Sequence, residues 1–244
     1  MNEGSQTRIN KYLSEVGYCS RRAADKLIQE GRITINGAVP EMGTKICEKD
    51  EIRVDGKLIS TPQEEFVYIA FNKPVGIVCT TNTKVEKDNI IDFINYPKRI
   101  FPIGRLDKPS EGLIFLTNDG DIVNKILRAR NHHEKEYIVT VNKPVTKAFV
   151  EKMSNGVSIL DTVTRKCDVK PLNKFTFKII LTQGLNRQIR RMCEALDYRV
   201  TQLKRVRIMN IMLDVRIGQW RDLTKKELKD IHRLSLASSK THDP

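Results

Sequence analysis

Hydrophobic positions follow two different periods along this 244-residue chain, and the change of period separates predicted helices from predicted strands. Helical spacing covers residues 8–15 and resumes at 20–31, where Ser20 stands in position to cap the second helix. Short apolar runs on either side of an Asp-Gly pair at 55–56 are typical of two strands joined by a tight turn. The pattern predicts a small helix-plus-hairpin domain over residues 1–60.

A polar, proline-containing stretch at residues 61–66 predicts a linker to a larger domain at 67–235, with a polar tail at 236–244. Thr224 and Glu227 have the spacing of a capping box. Helical and strand patterns do not alternate regularly in the larger domain, which favours an α+β fold with a mixed, largely antiparallel sheet. Its clearest strand patterns cover 66–71 and 175–181, and its clearest helical patterns cover 88–95, 120–130, 147–153 and the residues after 224.

Net charge points to a class of partner. Lys and Arg number 43 against 30 Asp and Glu, which gives a net charge of +13 and a pI of about 9.6. Such an excess favours an anionic partner, most often nucleic acid, although solubility alone is the plain alternative. The excess lies mainly in the larger domain, because the 10 basic and 9 acidic residues of the first domain almost cancel.

The remaining composition excludes several classes of protein. The 5 cysteines and 4 histidines have neither metal-site nor disulfide-framework spacing, and no nucleotide-binding glycine motif occurs. We therefore expect free thiols, no metal and no cofactor. No run approaches the roughly twenty apolar residues of a membrane span, and the N-terminus lacks the apolar core of a signal peptide. A cytoplasmic protein is expected.

Asp107 is the first candidate for chemistry. It lies in a Gly-Arg-Leu-Asp loop between an apolar run that ends at Ile103 and a strand that resumes at Leu113. A loop held between strands is a common place for a functional carboxylate, but aspartate is also a common turn residue. The spacing alone leaves both interpretations open.

An arginine-rich amphipathic helix is predicted near residues 187–196. Arg187, Arg190 and Arg191 share one side at helical spacing, and apolar residues cover the other. A solvated helix face is the plain alternative. Three guanidinium groups on one turn repel each other unless an anion is near, so a phosphate or carboxylate partner is favoured, with Arg187 and Arg191 as candidate contacts to a nucleic acid.

Tyr137 lies in a strand pattern, where it alternates with Val139 and Val141. This alternation places all three side chains on one face. By pattern alone, a core tyrosine with a hydrogen-bonded hydroxyl is favoured over a catalytic one.

The helices of the first domain carry a basic edge. Such an edge suits contact with a phosphate backbone, although a solvated helix face is the plain alternative. The residues concerned are Arg8, Lys11, Arg21, Arg22, Lys26 and Arg32.

Four motifs in one order carry a family resemblance. They are NKPVGIVCT at residues 72–80, GRLDKPSEGL at 104–113, KEYIV at 135–139 and GLNRQIRRM at 184–192. Together they resemble the pseudouridine synthases of the RsuA/RluB/RluE/RluF group. Residues 8–37 are similar to a small RNA-binding domain named after a small-subunit ribosomal protein. Pro109 departs from the pattern, since a polar residue is usual there, and it is expected to stiffen the loop.

The resemblance implies an isomerase that cuts uracil from ribose, turns it and rejoins it through carbon, without a cofactor. It implies that Asp107 is the catalytic carboxylate, Tyr137 the active-site tyrosine and Arg190 the basic residue that pairs with Asp107. Arg105 is expected to contact the target strand and to help hold the base out of its stack.

The family also implies large-subunit ribosomal RNA as the partner, and a tyrosine transfer RNA as a further substrate. A monomer is expected. The alternative is a non-catalytic RNA-binding or ribosome-assembly protein of the same fold, because the first domain suits both functions equally. The Asp107, Tyr137 and Arg190 set favours the enzyme, since binding alone does not need a buried carboxylate that faces RNA.

Overall fold

The computed structural model describes residues 6–59, 65–127 and 133–237. The chain divides into two compact units, 1–66 and 67–244. Most of the predicted linker and of the predicted tail lies outside the described residues, as do the last residues of the helix predicted at 120–130. No helix in the described ranges combines the length and the apolar character that a membrane crossing requires.

The first unit is built from two helices and short antiparallel strands. The elements are β1 (Thr7–Arg8), α1 (Ile9–Glu15), α2 (Arg21–Gln29), β2 (Ile33–Ile35), β3 (Lys45–Ile46), β4 (Ile52–Val54) and β5 (Lys57–Leu58). Strand β1 pairs with β3, and β2, β4 and β5 form a second sheet in the order β2-β4-β5. The Ser20 hydroxyl accepts a hydrogen bond from the Ala23 amide at 3.1 Å, so the predicted cap is confirmed.

The second unit is organised around one mixed sheet. The first part of its chain contributes β6 (Tyr68–Lys73), α3 (Ile90–Ile94), β7 (Phe101–Ile103), β8 (Glu111–Thr117), α4 (Gly120–Leu127), β9 (Lys135–Val141) and α5 (Lys147–Ser154). The second part contributes β10 (Ser158–Ile159), β11 (Thr162–Val163), β12 (Asp168–Asn173), β13 (Thr176–Leu181), α6 (Gln188–Ala195), β14 (Val200–Ile208), β15 (Ile211–Met212), β16 (Trp220–Asp222) and α7 (Lys225–Ala237).

The sheet order is β12-β13-β9-β14-β8-β6-β16, with β15 added on β14 and β7 on β8. Among the described strands, β14 and β8 run parallel and all other pairs in this sheet are antiparallel. The predicted α+β class with a mixed, largely antiparallel sheet is therefore confirmed.

Gly112 makes the parallel pairing possible. Its φ is +110°, and a Cβ at this position would lie 2.2 Å from the Arg205 carbonyl oxygen. Only a residue without a side chain allows β14 to approach β8 this closely. The contact matters for the site, because it brings the middle of β14 beside the loop that precedes β8.

Helices cover the sheet over separate hydrophobic cores. Helices α5 and α6 pack with β9 and β13 around Phe149, Phe177 and Met192. Helix α3 covers β6 and β8 around Phe71 and Ile90. Such closely packed strands and helices hold the loops between them in fixed positions.

Candidate active site

The loop before β8, the strands β9 and β14 and the start of α6 surround a cavity of about 850 Å³ in the second unit. The volume suits a small organic ligand such as one nucleotide. Basic side chains outnumber acidic ones in its wall. The charged lining residues are Glu86, Arg105, Asp107, Lys108, Lys135, Arg187, Arg190 and Arg205.

Backbone contacts fix the loop that carries Asp107. The Leu106 amide donates to the buried Cys79 Sγ at 3.3 Å, and the Ser110 amide donates to the Asp107 carbonyl at 2.9 Å. The Gly76 amide donates to the Lys108 carbonyl at 2.8 Å. The Asp107 side chain, about one-third exposed at 32%, is thereby presented to the cavity.

Arg190 reaches this loop from α6. Its Nη2 donates to the Pro109 carbonyl and to the Ser110 hydroxyl, both at 3.0 Å. Its buried Nε lies 3.8 Å from Asp107 Oδ2. Burial lowers the pKa of Arg190, and the Asp107 charge opposes that shift. The predicted pairing of Arg190 with Asp107 is thus present as a contact between charges.

The prediction that Arg187, Arg190 and Arg191 share one face of this helix is wrong. Arg187 precedes α6 in the left-handed conformation, at φ +50°, and its Nη1 lies 4.0 Å from Asp107 Oδ2. Arg190 turns inward and is only 8% exposed, whereas Arg191 folds back onto Asn186. Helical spacing carries no information about the position of Asp107. It therefore could not predict that two of the three guanidinium groups lie near this carboxylate.

Tyr137 differs from the expectation of a plain core residue. Val139 and Val141 are buried, as the alternation predicts. The Tyr137 ring is only half-buried, packs at the boundary of two hydrophobic clusters and also lines the cavity. Its neighbour on β14 is Arg205, whose Cζ lies 6.0 Å from the centre of the ring.

The cavity residues that the sequence did not indicate include Cys79, Lys135 and Arg205. The signal for Lys135 was available, since it lies two residues before Tyr137 and so shares its face of the strand. Arg205 gave no such signal because its place depends on the pairing of β14 with both β8 and β9.

The predicted RNA contacts are distributed over both units. Arg105 is exposed at the cavity, and Arg187 lines it, whereas Arg191 does not. In the first unit Arg8, Arg21 and Arg22 are exposed. The other three predicted contacts in this unit make local ion pairs. These are Lys11 with Glu15, Lys26 with Glu30, and Arg32 with Asp55 and Glu30.

No group of three or more His, Cys, Asp or Glu side chains in the described ranges is arranged to hold a metal ion. What the cavity offers is a carboxylate held beside guanidinium groups, a tyrosine ring, and an excess of positive charge. Together with a mixed sheet and a small accessory unit whose helices carry a basic edge, these features indicate an enzyme that acts on an anionic polymer.

Comparison with known proteins identifies the family within this class of enzyme. Residues 67–195 match the RNA pseudouridylate synthase family, and residues 7–52 match the S4 domain. The dual-specificity RNA pseudouridine synthase RluF of Salmonella typhi is 56% identical over 242 residues, which are 98% of this chain and 83% of that protein. The ribosomal large subunit pseudouridine synthase B of Bacillus subtilis is 35% identical, over 93% of this chain and 96% of that protein.

A solved pseudouridylate synthase also superposes on this chain with a TM-score of 0.67 and 30% identity, covering 93% of this chain and 99% of that one. The chain belongs to the RNA pseudouridine synthase family and is an isomerase with an S4 domain. The resemblance carried by the four motifs is therefore confirmed. The roles of individual residues remain predictions.

Proposed function

We propose that this enzyme isomerises a specific uridine of large-subunit ribosomal RNA, with Asp107, Tyr137 and Arg190 as its catalytic set. The observation that carries the assignment is the Asp107 carboxylate, presented to a basic cavity with the Arg190 Nε at 3.8 Å. The names of the relatives support ribosomal RNA as the substrate and allow a second RNA, for which we propose a tyrosine transfer RNA. We propose that the enzyme works in the cytoplasm as a monomer without a cofactor.

The reaction exchanges one bond for another. The bond between ribose C1′ and uracil N1 breaks, and its electron pair stays with the base. The base turns, a bond forms between C1′ and C5, C5 loses its proton, and N1 gains one. No oxidant or reductant is needed. Asp107 acts as the nucleophile or as the stabiliser of the sugar cation, and Tyr137 packs against the base.

We propose that Arg190 holds Asp107 in the position that this role requires. A guanidinium group beside a carboxylate attracts it by charge and restricts its orientation. The same guanidinium holds the far side of the loop by donating to the Pro109 carbonyl and to the Ser110 hydroxyl. We propose that it therefore sets the position of Asp107.

The target uridine has to leave its stack before Asp107 can reach it, at a cost of a few kcal/mol. Arg105 is exposed and lines the cavity, and we propose that it contacts the strand from which the base has turned out. Phosphate contacts from the basic residues of both units offset the cost. We propose residues 1–60 as the RNA-binding domain, 61–66 as the linker, 67–235 as the catalytic domain and 236–244 as the tail.

The first test is Asp107→Asn. We expect the variant to lose turnover by roughly 10³-fold or more and to bind RNA with a Kd within about threefold of wild type, because the carboxylate acts in chemistry and not in affinity. Pseudouridine is mapped at single-nucleotide resolution in ribosomal and transfer RNA from cells that lack this gene, complemented with wild type or variant.

The matched control is Asp161→Asn, an exposed aspartate on the turn between β10 and β11 whose left-handed backbone suits asparagine. A site that returns with wild type and Asp161→Asn but not with Asp107→Asn identifies the target and the carboxylate together. Turnover by a pure Asp107→Asn protein contradicts the catalytic assignment. Unchanged pseudouridine in every strain, with no activity on purified RNA, favours a non-catalytic binding protein instead.

A further inference from the structure

Lys135 is a cavity cation without an anionic partner among the described residues. It lies on β9 two residues before Tyr137, so both side chains leave the same face of the strand, and both line the cavity. Its Nζ donates to the His133 carbonyl at 3.3 Å. The Asp107 carboxylate, which lines the same cavity, is paired instead with Arg187 and Arg190.

A second cation lines the same cavity and acts on Lys135. Arg205 on β14 is only 4% exposed, and its Nε donates to the Leu113 carbonyl at 2.6 Å. Its Nη2 is buried without a hydrogen-bond partner among the described residues. A buried guanidinium nitrogen normally has an acceptor, so this wall of the cavity carries more positive charge than the surrounding groups neutralise.

The two cations affect each other. Burial, and then the charge of Arg205, lower the pKa of Lys135 to about 8. Two like charges held together in a half-buried place are unfavourable unless an anion comes to lie beside them. The described residues supply no such anion at this wall of the cavity. We therefore expect the substrate to supply it.

The proposed reaction creates such an anion. When the bond from C1′ to N1 breaks, the electron pair left on N1 spreads to the carbonyl oxygens of the uracil. This charge is absent before the bond breaks and disappears when C5 has bonded to C1′, C5 has lost its proton and N1 has gained one. A fixed cation that meets the charge only at this stage lowers the barrier without strengthening the binding of the substrate.

On the basis of the proposed function, we infer that Lys135 is a further catalytic residue whose ammonium group contacts the detached uracil and stabilises its negative charge. The charge of Arg205 adds to the same positive field. An RNA phosphate is the other anion that such a lysine could bind. Its position beside Tyr137, on the strand face that carries the proposed base-stacking ring, favours the base over the backbone.

The test is Lys135→Met, which keeps the length and apolar stem of the side chain and removes its charge. Single-turnover rates are measured at saturating RNA, on a transcript that contains the mapped uridine. We expect the rate to fall by about 10²-fold and the Kd to stay within about threefold. Lys135→Arg, which restores a cation, should recover part of the rate. Lys170→Met, at an exposed lysine on the outer strand β12, is the matched control and should match wild type.

A second measurement separates the base from the phosphate. In RNA that carries 5-fluorouridine, the fluorine withdraws electrons, so the detached base holds its charge more easily. The consumption of this substrate should depend less on Lys135 than the consumption of uridine does. Equal deficits on both substrates overturn the inference.

Other outcomes are equally decisive. Wild-type turnover by Lys135→Met overturns the inference and leaves the proposed function intact. A weaker Kd with a shallower salt dependence and an unchanged rate at saturation identifies a phosphate contact and overturns the inference too. Absence of turnover by the wild-type enzyme itself overturns the proposed function, and with it the role of Lys135.

Discussion

Arg190 shows how one side chain serves both the fold and the site. Two of its nitrogens are engaged by backbone and hydroxyl oxygens, while the Nε that faces Asp107 has no hydrogen-bond partner among the described residues. The 3.8 Å separation from Asp107 Oδ2 is too long for a hydrogen bond. The carboxylate is therefore held by charge, and its oxygen can still approach a substrate atom.

Gly112 permits a prediction at the same scale. Gly112→Ala places a methyl group 2.2 Å from the Arg205 carbonyl in a backbone conformation that alanine disfavours. We expect the free energy of unfolding to fall by roughly 3 kcal/mol or more, as measured by denaturant titration. Gly120→Ala is the control, because a methyl group there has nothing within 4 Å and the φ is ordinary, so its effect should stay below about 1 kcal/mol. Equal effects of the two substitutions would refute the role of the close approach.

At the scale of an element, the start of α7 shows how a local sequence signal gains strength from a tertiary contact. The Thr224 hydroxyl accepts from the Glu227 amide at 3.2 Å, and Glu227 accepts from the Thr224 amide at 2.8 Å, so the predicted capping box is confirmed. Arg221 on β16 adds two hydrogen bonds to the Glu227 carboxylate, at 2.8 and 2.9 Å. The cap thereby ties α7 to the edge of the sheet.

The pH dependence of this cap is predictable. Hydrogen bonding to Arg221 lowers the pKa of Glu227 from 4.5 to about 2 in the folded protein. A group with a lower pKa in the folded chain stabilises the fold above its unfolded pKa and loses that effect as the pH falls toward its folded pKa. Glu227→Gln should therefore cost about 2 kcal/mol of unfolding free energy at pH 7, and the cost should shrink between pH 4.5 and 2. Thermal unfolding at several pH values measures it.

Glu151→Gln is the control for this experiment, since Glu151 is an exposed glutamate on α5. It should change stability little at either pH. A Glu227→Gln deficit that persists unchanged at pH 2.5 would show that packing, and not the carboxylate charge, is responsible.

At the scale of the whole molecule, each unit has its own core. The first unit packs α1 and α2 against its short strands around Ile9, Leu13 and Ile33, all fully buried. The second unit contains the continuous sheet and every residue of the cavity. Chemistry and the proposed RNA recognition are therefore built on separately packed parts of one chain.

Removal of residues 1–66 tests this division. We expect the remaining unit to unfold cooperatively, because it retains the whole of its sheet. RNA affinity should fall by about tenfold or more, with a smaller slope of log K against log salt, since phosphate contacts are lost. Filter binding at several salt concentrations and pseudouridine mapping measure both effects. An unchanged Kd and unchanged site choice would contradict a recognition role for the first unit.

The sequence by itself determined the elements whose causes are local. The Ser20 and Thr224 caps, the turn at residues 55–56 and the apolar alternation of β9 and β13 depend on neighbours within a few residues, so their patterns could be read along the chain. The motifs around Asp107 and Arg190 also identified the family. Local chemistry and motif order were sufficient for these conclusions.

Tertiary structure alone decided which charges meet. Arg190 is buried and not part of a solvated face because the loop that carries Asp107 lies opposite it, 83 positions earlier in the chain. Lys135 and Arg205 stand together because β9 and β14 pair, and β14 reaches that position because Gly112 admits its backbone. Such contacts depend on sheet order and register. These arise from packing over the whole domain, and no local period along the chain encodes them.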